Sequence, residues 1–294
     1  MSELIYVQQG ELATLREHQA ALYGLLREFD RVCKALNIRY SLFAGTLLGA
    51  VRHGGFIPWD DDLDVIMHRE DYTRFLREAP ALLDEENFFL QKEFSEHYPM
   101  FFSKLRLNRT TCLERFHPKD PELHQGVYID IFPYDNAYAG KLGRLVQFAC
   151  SKVVIAKGLD ARGYATGSAL KKTAMVLSRV LPGAPFRRIV RGPKTTGAWV
   201  HCFLGGASKL HHSVLPASLF AELTELPFED GRYSAPAEYD AVLKLLFGDY
   251  MALPSEEEKA SKKHVVLVDL KHSWEHHKAA HDGMTFTSSV RSVR

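Results

Sequence analysis

Residues 43–64 read Phe43-Ala44-Gly45-Thr46-Leu47-Leu48-Gly49-Ala50-Val51-Arg52-His53-Gly54-Gly55-Phe56-Ile57-Pro58-Trp59-Asp60-Asp61-Asp62-Leu63-Asp64. Tyr40-Ser41-Leu42-Phe43-Ala44 reads as a short strand running into Gly45, and Thr46 to Val51 as a helical turn with Thr46 as its cap. The glycine pair and Pro58 demand a loop over 53–58. Asp62 to Met67 alternates acid and apolar residues before turning wholly apolar, as a second strand does. Alternate side chains of a strand share a face, so Asp62 and Asp64 are expected to point the same way, roughly 6–7 Å apart at Cα. Like charges that close repel unless a cation lies between them. Oxygen-only ligands suit Mg²⁺ or Mn²⁺.

A bare Asp triplet is ordinarily a helix start or a solvated loop. Here Phe56-Ile57-Pro58-Trp59 on one side and Leu63, Val65 and Ile66 on the other place the acids at the mouth of a core strand. An EF-hand fails on spacing: the sixth position from Asp60 is Val65, where glycine is needed, and the twelfth is Asp71 rather than Glu. A third acid, Asp130, stands inside Val127-Tyr128-Ile129-Asp130-Ile131-Phe132, a β-branched and aromatic run between Gly126 and Pro133. A carboxylate among such neighbours is costly unless compensated, and sharing a metal with Asp62 and Asp64 would compensate it. Gly45-Thr46 adds a backbone that can approach a phosphate closely beside a helix N-terminus.

Residues 9–36 set Leu12, Leu15, Leu22, Leu25, Phe29, Val32 and Leu36 at helical spacing, an amphipathic helix ending at Asn37-Ile38. Helices are also expected over 69–79 and 236–247. The chain is 294 residues long, 46% hydrophobic, 25% charged and 11% aromatic, which suits a globular protein with a sizeable core. Cys33, Cys112, Cys150 and Cys202 form no CxxC pair, which argues against a disulfide framework or a zinc site. No signal peptide and no run long enough for a spanning helix is visible, so a cytoplasmic protein is expected. The formal net charge is +1, yet residues 141–194 hold twelve Lys or Arg against the single acid Asp160, a local net of +11. Cations interleaved with Leu, Val and Phe could hold an anionic lipid-linked acceptor or the inner membrane surface. A solvated helical hairpin is the plainer alternative.

The 43–64 stretch closely resembles the hallmark of the LicD family, within the polymerase-beta-like nucleotidyltransferase superfamily and related to the fukutin group. The resemblance continues through Arg69-x-Asp71-Tyr72, Lys104-x-Arg106, 126–133, 247–254 and His264. It implies an α+β nucleotidyltransferase core: a small mixed sheet flanked by helices, interrupted by a mainly helical basic insertion. The divisions expected are a catalytic core over 1–140, the insertion over 141–200, a completing part over 201–283 and a flexible tail over 284–294. It also implies Mg²⁺-dependent transfer of phosphocholine or a related phospho-substituent from a CDP-linked donor such as CDP-choline. The acceptor would be a glycan of teichoic acid or lipopolysaccharide, or its lipid-linked precursor; nucleic acid is not expected as a partner. By similarity Asp62, Asp64 and Asp130 would carry the metal. Arg52, Lys104 and Arg106 are candidate phosphate contacts alongside Gly45 and Thr46. Asp130 could instead be the general base, Asp60 or Asp61 could take a metal or play a structural part, and His53 and His264 could touch substrate. Three alternatives stay open: a nucleotidyltransferase making or using an NDP-linked small molecule, an Asp-x-Asp glycosyltransferase, and an inactive binding module. Only one helix and one strand precede the motif here, which disfavours the glycosyltransferase; retention of three acids disfavours the inactive module.

Overall fold

The computed structural model describes residues 13–282 apart from 115, 117, 165, 196, 205–209 and 262–264. Thr14 opens the first helix, α1 (Leu15–Leu36), through a capping box: its hydroxyl accepts from the Glu17 N–H while the Glu17 carboxylate accepts from the Thr14 N–H. Asn37 closes it at φ 50°. Leu22, Leu25, Phe29 and Val32 are buried as their spacing predicts; the part of the expected helix before residue 13 lies outside the described residues.

The next elements differ in detail from the expectation. β1 is only Ser41–Leu42, because Phe43 already sits extended as the N-cap of α2 (Ala44–His53). Thr46 is therefore not the cap but lies inside α2, where its hydroxyl is free to bond elsewhere. Gly54, at φ 69°, ends that helix in the left-handed conformation glycine adopts without strain. β2 (Asp64–His68) begins at Asp64, so Asp62 belongs to the preceding loop and not to the strand. α3 (Arg69–Glu78) follows directly, then β3 (Phe88–Gln91), β4 (Ser103–Leu107), β5 (Thr111–Glu114) and β6 (Tyr128–Asn136).

β6 passes through Pro133, which was expected to end it. Its pairing with β4 reaches only as far as Ile131, and pairing with a later strand resumes at Asp135. The proline thus sits in a gap where no ladder hydrogen bond is asked of its missing N–H. The basic stretch forms α4 (Lys141–Arg162), α5 (Ala169–Ser178) and α6 (Gly183–Arg191). The remainder is β7 (Trp199–His201), α7 (Leu210–Ser213), β8 (Val214–Pro216), β9 (Leu223–Phe228), β10 (Gly231–Pro236), α8 (Tyr239–Phe247), α9 (Glu256–Ser261), β11 (Val265–Asp269) and α10 (Trp274–Asp282). α8 starts later than expected because Pro236 still belongs to a strand. His264 and the tail after 282 lie outside the described residues.

The main sheet is mixed and runs β1-β2-β6-β4-β3, with β7 taking over beside β6 and β8 pairing β7. β2 and β6 run parallel, with Asp64 opposite Asp130. β9–β10 and β5–β11 form separate antiparallel pairs. One apolar core joins α1, α2, β2, α3 and β6 to Val200, Tyr233, Val242 and Val265 far along the chain. A second cluster packs Cys150, Val154 and Val190 of the basic helices against Tyr98–Phe102. Val65, Ile66 and Met67 are fully buried. Each such burial stabilises by about 1.5–3 kcal/mol, and a one-residue slip would turn every side chain of the strand to the other face. The parallel ladder runs in register from Asp64–Asp130 to His68–Tyr134, which places Asp64 beside Asp130.

Candidate active site

Neighbouring strands stand about 4.8 Å apart, so the Asp64–Asp130 register brings two carboxylates from residues 66 apart in sequence to adjacent positions. The Asp130 N–H donates to the carbonyl of Leu63 at 2.9 Å, extending the ladder into the acidic loop. The Thr46 hydroxyl accepts from the Asp64 N–H at 2.8 Å, the bond its place inside α2 makes available. Ala44 adopts φ 45°, and this left-handed step turns the chain sharply from β1 into α2 next to the acids. A Cβ on Gly45 would lie 2.8 Å from Asp60 Oδ2, so the glycine lets the first turn of α2 close on that carboxylate.

The loop that presents Asp60 and Asp62 is lashed from below. Gln19 on α1 donates to the carbonyls of Ile57 (3.2 Å) and Asp60 (3.0 Å). His18, buried and therefore kept neutral, donates through Nε2 to the carbonyl of Asp61 at 3.0 Å. The Asp61 carboxylate is buried and accepts from the Val265 N–H at 3.1 Å, which joins the loop to β11. Asp61 is thus a structural member of the triplet. The sequence did carry a signal for the α1 clamp: His18 falls on the apolar stripe that continues through Leu22, Leu25 and Phe29, where a polar residue is out of place.

Lys104 is the cation of the site. It is 1% exposed, with Nζ 2.9 Å from Asp130 Oδ1, 4.0 Å from Glu114 and 3.1 Å from the centre of the Tyr128 ring. Glu114 in turn meets Arg162 of α4 at 2.7 Å, and that guanidinium stacks 3.7 Å from the Phe116 ring. These cations hold the Glu114 carboxyl far below the usual carboxylate range despite its burial. Glu114 and Arg162 escaped the sequence reading because each is an isolated charge at the end of an element, brought to the site only by packing. Arg106 points into the sheet, donating to Gln91 (2.7 Å) and the carbonyl of Gly126 (2.7 Å). Arg52 donates to the carbonyl of Tyr250 at 2.8 Å and so ties α2 to the 247–254 stretch. His53 is exposed, edge-on to Trp59, and Lys259 sits 4.3 Å over the face of that Trp.

The charge balance favours the acids. Burial pushes the Asp64 carboxyl well above its ordinary range, and Asp62, Asp130 and Asp60 push it further, against the opposing pull of Lys104. Asp130 is raised by burial as well, with Lys104 pulling it back. Asp130 Oδ1 is buried and accepts no well-directed hydrogen bond beyond its ion pair. Among the described residues, no three acid, His or Cys side chains already stand in metal-ligating positions. The acids are adjacent and repelling rather than closed around a point.

Residues 37–141 match the family model described as LicD/FKTN/FKRP, nucleotidyltransferase domain. Over these residues the chain is similar to a LicD-family domain. Its relatives include the lipopolysaccharide cholinephosphotransferase LicD of Haemophilus influenzae, 29% identical over 261 residues that cover 84% of this chain and 94% of that protein. Human ribitol 5-phosphate transferase FKRP is 40% identical over 85 residues, 28% of this chain and 16% of that protein. An uncharacterized Rickettsia prowazekii protein is 50% identical over 96 residues, 33% of this chain and 32% of that protein. All four acids of the 60–64 run and Asp130 fall inside the LicD-family match.

Proposed function

We propose that this chain, through its LicD-like domain, moves a phospho-substituent of the phosphocholine type from a CDP-linked donor to a hydroxyl of a cell-surface glycan or its lipid-linked precursor. The reading includes a nucleotidyltransferase-type core that uses Mg²⁺ or Mn²⁺. The observation that carries it is Asp64 opposite Asp130 on parallel strands, with Asp62 two residues ahead in a fastened loop. The relatives support it, since one is named a cholinephosphotransferase and another a ribitol 5-phosphate transferase.

The chemistry of the donor set suits a divalent cation, which would have to draw the three carboxylates together around it. The donors are all oxygen, Asp64 carries repulsion from three neighbouring acids, and the buried Asp130 Oδ1 has acceptor capacity left. Asp62, Asp64 and Asp130 would hold the ion, which when bound supplies the positive charge that phosphoryl transfer needs on the transferring and leaving oxygens. The chain's own groups do the rest. Lys104 fixes the Asp130 carboxylate in place, and the backbone N–H groups at the start of α2, with Arg52 at its end, favour a phosphate nearby. The acceptor hydroxyl attacks the phosphorus distal to the nucleoside, the bond from that phosphorus to the CMP oxygen breaks, and the hydroxyl proton passes to the carboxylate cluster.

The test is CMP release from CDP-choline, CDP-ethanolamine and a CDP-alditol in the presence of a glycan acceptor, with Mg²⁺ and with chelator. Release that needs the cation and disappears in Asp62→Asn and Asp64→Asn supports the reading. Pyrophosphate release from a nucleoside triphosphate, with no CMP from any of the three donors, overturns it.

A further inference from the structure

The helical insertion carries a surface for which the transfer chemistry has no use. Residues 141–194 contribute nine of the seventeen large apolar side chains that stand exposed among the described residues. Leu142 is 74% exposed and Leu145 52%, one helical turn apart at the start of α4. Leu170 is 80% exposed and Leu177 61%, two turns apart on α5, with Val180 just beyond at 83%. α5 buries only Met175 and Ser178. Scattered exposed leucines are ordinary; this concentration in one insertion is not.

Within the segment itself twelve cations stand against one acid. The segment's only acid, Asp160, is already paired with Arg179 at 2.8 Å and Lys119 at 3.5 Å. Lys141 flanks Leu142, and Lys171 and Lys172 follow Leu170, all exposed. A surface of bare apolar side chains within a field of cations matches a bilayer with anionic headgroups, which offers apolar depth and negative charge together. No helix of the described residues is long and apolar enough to cross a membrane, so such contact would be made from the surface. The insertion is also fastened where it matters: Arg162, the last residue of α4, reaches Glu114 beside Lys104, and Arg191 at the end of α6 reaches Glu93 at 3.2 Å.

We infer that α4 and α5 form a docking face for an anionic lipid surface, holding the acidic site at a set position relative to the bilayer. The inference rests on the exposed side chains and the charge asymmetry, and stands whichever donor the site takes.

The full chain is sedimented with vesicles of phosphatidylcholine alone and of phosphatidylcholine with phosphatidylglycerol. Binding to the anionic vesicles at least about tenfold stronger than to the neutral ones is expected, weakened by salt but not abolished. Leu170→Glu/Leu177→Glu/Val180→Glu should remove the salt-resistant part, and Lys171→Glu/Lys172→Glu the salt-sensitive part. Both variants alter exposed positions, so circular dichroism and CMP release from the CDP-linked donor in the presence of a soluble acceptor should match the parent. Absence of binding to the anionic vesicles, or undiminished binding by the leucine variant, overturns the inference. So does a parent that light scattering shows as a dimer and the leucine variant as a monomer, since the face would then belong to a second copy. Loss of CMP release in both parent and variants, with vesicle binding intact, would instead count against the proposed chemistry.

Discussion

Replacing Lys104 with Met tests whether this buried cation is what makes the acidic cluster tolerable in the fold. The methionine retains the stem's bulk and removes the charge that lies 2.9 Å from Asp130 and 4.0 Å from Glu114. Removing one partner of a buried ion pair costs about 3–5 kcal/mol, because the other charge is left without compensation. Here the lower end is expected: Glu114 keeps Arg162 at 2.7 Å, and the Asp130 side chain retains 14% exposure. A loss of about 3 kcal/mol at pH 8 follows. Its pH dependence has a definite sign. The folded-state pKa of Asp130 lies above its unfolded value, with Lys104 opposing the rise, and removing the lysine lifts it further. A group raised in this way is most favourable when protonated, so its stabilising contribution is present at low pH and is lost as pH climbs through the folded pKa. The variant's deficit should therefore shrink on acidification, by up to about 1.4 kcal/mol per pH unit over that window. Urea unfolding in chelator at pH 5.5 and pH 8 reads this, and Lys104→Met/Asp130→Asn should recover most of the loss at pH 8. Equal deficits at the two pH values, together with additivity of the two substitutions, would refute the reasoning.

Three further outcomes follow from the geometry. Asp64→Asn removes a carboxylate pressed by burial and by three acids, so without metal it should raise the melting temperature, more at pH 8.5 than at pH 6, while transfer falls on the order of 10²–10³-fold; a lower melting temperature in differential scanning calorimetry would contradict the repulsion. Asp61→Ala should cost about 1–3 kcal/mol in urea titrations by leaving the Val265 N–H unpaired, whereas Asp61→Asn, which still offers an oxygen, should retain most transfer activity, unlike Asp62→Asn. Arg69, its side chain only 15% exposed and paired with Asp135 at 2.7 Å and Glu93 at 2.9 Å, should cost about 3 kcal/mol when changed to Ala. Arg191, half-exposed beside the same Glu93, should cost about 1 kcal/mol or less. Similar losses in thermal unfolding would mean that exposure does not separate these two ion pairs.

Elements governed by neighbouring residues are legible along the chain. The apolar stripe of α1, the loop demanded by Gly54-Gly55 and Pro58, and the strand character of 65–67 and 128–132 depend on spacing within a few residues, and the structure keeps them. The sequence also exposed the asymmetry of 141–194, because charge is additive and needs no coordinates. Tertiary structure decided what depends on encounters between distant residues. Asp130 meets Asp64 because β2 and β6 pair in parallel, and Thr46 serves Asp64 because α2 begins one turn earlier than its side chains suggest. Asp61 turns from the site to hold β11, and Arg162 crosses from the insertion to Glu114. None of these has a signature along the chain, since a side chain's partner is set by the register and packing that bury the apolar core around it, and a local pattern cannot specify which remote charge that packing will deliver.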